Sequence, residues 1–169
     1  MGKFAPSIVL NLSGCPVGDL SLEISEETKI LFINGCDLSG SSIKSDNLSL
    51  YSALNCNLGS FDFNAMRNLV SLDLSGNRLS SIDFDQPNIP LKQFIVRNNE
   101  ISGEIRIRSH TLSRLDVSQN KLDSLCISGY CPSLAFLDAS HNKITFIKEL
   151  VGTANIETLR INDNQIQGK

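Results

Sequence analysis

The chain has 169 residues, 41% of them apolar, and a net charge of −3. That is enough apolar material for one continuous core. Acids and bases are interspersed, which argues against nucleic acid as the main partner, because phosphate binding needs a basic stripe. No apolar run approaches the ~18 residues of a membrane-spanning helix. Met1-Gly-Lys-Phe-Ala-Pro6 lacks the apolar centre of a signal peptide.

From Ser7 onward a single register recurs, restarting at Thr28, Leu48, Leu69, Leu91, Leu112, Leu134 and Ile156. The steps are 21, 20, 21, 22, 21, 22 and 22 residues. A fixed period of this size marks a solenoid of stacked coils. The fourth position of each coil is Leu10, Leu31, Tyr51, Leu72, Phe94, Leu115, Leu137 and Leu159. The sixth is Leu12, Ile33, Ala53, Leu74, Val96, Val117, Ala139 and Ile161. Apolar residues two apart predict a strand with one buried face. One coil cannot bury that face alone, so stacked neighbours must share a core. The ninth position reads Cys15, Cys36, Cys56, Asn77, Asn99, Asn120, Asn142 and Asn164.

The clearest copy, Leu69-Val-Ser-Leu72-Asp-Leu74-Ser-Gly-Asn77-Arg-Leu79, reads L-x-x-L-x-L-x-x-N-x-L. It resembles the leucine-rich repeat family, and the resemblance covers about residues 7–166. It implies a right-handed solenoid with a parallel sheet on its concave face and a ninth-position column pointing inward at the turn. There an Asn amide can pair with backbone groups left free by the bend. Within Leu79-Ser-Ser-Ile82-Asp-Phe84 the L-x-x-L-x-L rule repeats inside one coil. That nesting is similar to the 21-residue variety known mostly from bacteria and some protists, which implies short extended segments and little helix on the convex side. Leu20-Ser-Leu22, Phe61-Asp-Phe63, Ile105-Arg-Ile107 and Leu125-Cys-Ile127 fit as well. The fit fails at Ser41 and is shifted near Ile105, predicting an irregular convex side there. Phe146-Ile-Lys-Glu-Leu150 predicts a single helical turn. Residues 1–169 read as one array without linkers or separate caps. Its uncovered ends would expose apolar surface and strand edges, so end-to-end self-association is an expectation.

Five cysteines is an odd number, and the main expectation is five small buried side chains. Cys126 and Cys131 are the pair that could form a disulfide. Free thiols and the missing signal core favour an intracellular, reducing compartment, although a removed signal would place the protein outside.

The remaining strand positions predict the composition of the concave face. Its first three coils carry Val9, Ile30, Phe32, Leu50 and Leu54 where polar residues are usual, a candidate apolar interaction patch. Coils five to eight carry Arg97, Arg114, Asp116, Phe136, Asp138, His141, Arg160 and Asp163. Mixed charge around an aromatic anchor is the composition of a partner-binding surface. The bland alternative is a solvated face with internal pairs such as Asp138 with Arg160. Asp116 and Asp138, in neighbouring strands, could share a proton as an acid/base pair. The arginines beside them and the open face argue against an enzyme. No metal-spaced Cys/His set and no phosphate-cradling loop is present, so no cofactor is expected. The sequence predicts a non-catalytic protein-interaction module. The alternatives are an assembly unit working through its ends, or the recognition half of a larger multidomain protein or effector.

Overall fold

The computed structural model describes residues 8–16, 24–41, 43–150, 152–153 and 155–167. Strands are numbered in chain order. One strand from each coil builds an eight-stranded parallel sheet: β1 (Val9–Asn11), β2 (Ile30–Phe32), β3 (Leu50–Ser52), β4 (Ser71–Asp73), β6 (Gln93–Ile95), β8 (Arg114–Asp116), β10 (Phe136–Asp138) and β12 (Thr158–Arg160). Each pair is in strict register: Leu72 opposes Phe94, Phe94 opposes Leu115, and Leu115 opposes Leu137. The alternation behaves as expected. Leu31, Leu72, Leu115 and Leu137 are fully buried, and so are the sixth-position residues Ile33, Leu74, Val96 and Val117.

A second sheet lies on the convex side. Its strands are β5 (Asp83–Asp85), β7 (Ile105–Arg108), β9 (Ser124–Ser128) and β11 (Phe146–Leu150), all parallel. Two expectations are corrected here. The Ile105 segment is a regular strand, because Ile105 and Ile107 both reach the core while Arg106 and Arg108 face out. Phe146–Leu150 is also a strand and makes no helical turn. It pairs with β9 through a register shift between Ile147 and Glu149, so a bulge absorbs its irregular spacing. Phe61-Asp-Phe63 departs in the other direction. Asp62 accepts from the Asn64 amide and caps a short 3₁₀ turn at Phe63–Ala65. Its aromatic rings join a chain of contacts from Tyr51 through Phe61, Phe63 and Phe84 to Phe94. Leu20-Ser-Leu22 lies outside the described residues.

The ninth-position column turns inward, and its hydrogen bonds stitch coil to coil. Asn120 is typical. Its Oδ1 accepts from the Ile101 amide of the preceding coil at 3.0 Å. Its Nδ2 donates to the Val96 carbonyl of that coil and to the Val117 and Ser118 carbonyls of its own. Asn77, Asn99, Asn142 and Asn164 repeat the scheme. Cys36 and Cys56 reproduce only the donor half, each aiming its thiol at the sixth-position carbonyl of the coil before, Leu12 and Ile33. Burial raises the thiol pKa of Cys56 and of Cys131 above the usual range. All five cysteines are free, so Cys126 and Cys131 are not bridged. The expectation of five buried thiols fails at Cys15, which is exposed. No described coil lies beyond it to cover the side chain.

A second ladder runs along the entry side of the strands. At four coil starts the residue just before donates its side chain to a carbonyl of the previous coil: Asn68 to Asp46, Thr111 to Ile89, Ser133 to His110 and Asn155 to Pro132.

These ladders make a quantitative expectation. Asn120→Ala removes the acceptor for the Ile101 amide and the donor for buried carbonyls, which should destabilise the fold by about 2–4 kcal/mol. Asn120→Cys keeps a donor and should lose less. Denaturant midpoints of the two variants check this, and equal losses would contradict the account.

Candidate functional site

The outward strand positions and the turn that follows build the concave face. The third-position column shows Val9, Ile30 and Leu50 in register, with Phe32 in the column beside Ile30. Val9 is half exposed and Ile30, Phe32, Leu50 and Leu54 are partly buried, so the predicted apolar patch is contiguous along coils one to three.

In the charged half the aspartates are already engaged. Asp73, Asp116 and Asp138 each turn Oδ1 onto the serine two residues on. Each accepts from that serine's amide at 3.0 Å and from its hydroxyl at 2.6 Å. Such side-chain-to-backbone clasps fix a turn. They tie the Oδ1 of Asp116 and of Asp138 each to its own coil. The signal was present in the sequence as Asp-x-Ser at the fifth and seventh positions of three coils, starting at 73, 116 and 138, and sequence reasoning missed it.

The eighth-position column has a backbone reason. Gly14, Gly35, Asn55, Gly76, Asn98, Gln119, His141 and Asp163 all have positive φ, between 53° and 74°. Each of the first seven donates its amide to the seventh-position carbonyl of the next coil, as Gln119 does to Ser140 at 2.9 Å. Asn, Asp and His tolerate this conformation better than most residues, and Gly best of all. His141 and Asp163 therefore sit where they do because the chain turns left-handed there. Their side chains then meet across coils, with Nε2 3.4 Å from Oδ2.

Phe136 is the focus of the remaining charges. The Arg114 guanidinium carbon stands 3.8 Å from the ring centroid, and that of Arg160 stands 5.2 Å away. Arg160 is also 3.7 Å from the Asp138 carboxylate, the pair expected from the sequence. Arg97 lies farther along, with Nε donating to Gln119 Oε1 at 3.2 Å. The structure gathers Arg97, Arg114, Asp116, Asp138, His141 and Arg160 around one hollow of about 450 Å³. A neighbouring hollow of about 470 Å³ shares Arg97, Asp116 and Gln119 with it and extends to Ile95 and Leu54. The apolar and charged halves thus meet in one trough. Phe136 and Asp163 border this hollow through their contacts with Arg114, Arg160 and His141. Among the described residues no group of three or more His, Cys, Asp or Glu could hold a metal ion, and no helix is long and apolar enough to cross a membrane.

Comparison with known proteins agrees with this architecture. The family description Leucine Rich Repeat matches residues 68–87, the copy with the clearest motif. An uncharacterized leucine-rich repeat-containing protein of Schizosaccharomyces pombe is 38% identical over 102 residues. The chain is similar to leucine-rich repeat proteins in its repeat and in its fold. The match covers 56% of this chain and 16% of the yeast relative, so the chain spans well under a fifth of that protein's length. Leucine-rich repeats are in general scaffolds for protein interaction, and the concave face of this one follows the repeat register coil by coil.

The left-handed column of this leucine-rich repeat array can be tested at Gln119, the residue there with least intrinsic tolerance for positive φ. Gln119→Gly should leave stability unchanged or raise it by up to about 1 kcal/mol, and Gln119→Val should lower it by about 1–2 kcal/mol. Thermal denaturation of the two variants reads the difference. A Val variant as stable as the Gly variant would contradict the turn assignment.

Proposed function

We propose that the protein is a non-catalytic interaction module that binds another protein on the charged half of its concave face. One observation carries this reading. Residues from four successive coils, Arg97, Arg114, Asp138 and Arg160 among them, converge on one open hollow braced by Phe136. Isolated exposed ion pairs contribute little stability, about 0–1 kcal/mol. Three arginines gathered on one open face therefore add little to the fold, and they suit contact with a partner. The apolar trough extending toward Leu54 would supply additional contact area. The residues proposed to touch the partner are Arg97, Arg114, Asp116, Phe136, Asp138, His141, Arg160 and Asp163, with Val9, Ile30, Phe32, Leu50 and Leu54 as the apolar extension. Residues 1–169 act in this reading as one array.

The partner should be lost from a pull-down when Arg97, Arg114 and Arg160 are all changed to Glu, with an unchanged circular dichroism spectrum. Full retention by the folded variant would reject this half of the face.

A second reading is favoured by the last coil. There Leu159, at a core position, is 36% exposed, and Ile166 is 42% exposed. The β12 edge would pair with another copy and make the array an assembly unit. Ile166→Glu should then shift a concentration-dependent sedimentation profile to monomer. A wild-type chain that is monomeric at high concentration removes this reading.

A further inference from the structure

We infer that the Arg114–Phe136–Arg160 cluster is a receptor for one carboxylate, presented as an Asp or Glu side chain by the protein partner. This rests on the concave-face reading above and adds the chemistry of the contact. Phe136 sits in the third-position column directly beside Arg114 and one column from Arg160. Both guanidinium groups lie against the same ring, so their positions are set before a partner arrives. Pre-setting long side chains lowers the ordering cost of binding.

The hydrogen-bond accounting leaves these guanidinium groups open. Arg114 and Arg97 form no ion pair with a described carboxylate. Arg160 is held near Asp138, but at 3.7 Å the contact is too long to satisfy an N–H donor. Asp116 and Asp138 meanwhile commit Oδ1 to their own serines. The hollow is lined by three guanidinium groups, Arg97, Arg114 and Arg160, against two carboxylates, Asp116 and Asp138. Asp163, on the border, faces His141, so what the hollow leaves unused is not net charge but planar donor forks that match a carboxylate. A Lys or Arg side chain from the partner would bring donors to guanidinium groups that need acceptors.

The test uses side-chain NMR of the whole chain, following the arginine Nε–Hε resonances. The probes are N-acetyl-glutamic acid amide and N-acetyl-glutamine amide, which differ only in the carboxylate. The glutamic acid compound should shift Arg114 and Arg160 saturably, while the glutamine compound should not. Phe136→Leu keeps every charge but removes the brace, and it should weaken the glutamic acid interaction by roughly threefold. Arg160→Gln, on an exposed side chain, provides the same readout with little risk to folding. The inference is overturned if both compounds shift the same resonances. It also falls if Arg106 and Arg108, on the convex strand β7, respond as strongly, or if both variants bind like the wild type. A chain that loses its partner with the triple Arg→Glu change, yet shows no preference for the carboxylate compound, keeps the concave reading and loses this one.

Discussion

The structure depends on how each coil satisfies the backbone where the chain leaves its strand. The bend sits at the edge of the apolar core, so its amides and carbonyls cannot all reach water, and buried unpaired groups are costly. An Asn at the ninth position solves this in both directions. Its Oδ1 accepts from the eleventh-position amide of the preceding coil, while its Nδ2 spans the sixth-position carbonyls of two coils. A Cys can do only the donor part, and in coil two the Leu38 amide turns instead to the Cys56 carbonyl of the next coil. The two halves of the array therefore share a fold but not a fastening.

The difference reaches the convex side. Its four strands belong to coils four to seven, each of which has an Asn at the ninth position. By accepting from Leu79, Ile101, Leu122 and Ile144, the next asparagine along fixes the point a few residues ahead of each convex strand. Fixing that point is not sufficient. Leu58 has the same bond from Asn77, yet Phe61-Asp-Phe63 forms no strand, because Asp62 caps a 3₁₀ turn first. Local side-chain competition decides the outcome where the shared ladder leaves a choice.

This explains which parts of the structure were legible in advance. Apolar periodicity reports directly on burial, so the eight concave strands and their register could be read from Leu10 to Leu159. The convex segments are short and set by single local contacts, so Phe63 and Phe146 misled pattern reading in opposite directions. Composition marked the charged coils of the site, and the structure gathers six of the named residues around one hollow. Which of them were free could not be read in that way. The Asp–Ser clasps are intra-coil hydrogen bonds, the entry-side ladder links residues about 22 apart, and the left-handed turn is a property of φ. None of these leaves a hydrophobic trace. The Gly- and Asn-rich eighth column was the nearest available sign.

Together these constraints narrow where the surface can vary. The sixth and ninth columns face the core, and the eighth must accept a left-handed backbone. In coils four, six and seven the fifth and seventh columns are tied to each other as Asp and Ser. The third column is the one whose side chains no recurring structural bond claims. Along coils four to eight it reads Ser71, Gln93, Arg114, Phe136 and Thr158, changing size, charge and polarity at every step. A repeat that must hold its other columns nearly constant can change specificity only where the fold asks least of the side chain. Arg114 and Phe136 occupy that column, next to each other and one coil apart. The apolar residues of the same column in the first coils, Val9, Ile30 and Leu50, have the same freedom with opposite chemistry. The contrast between the two halves is therefore written in the column best able to carry it.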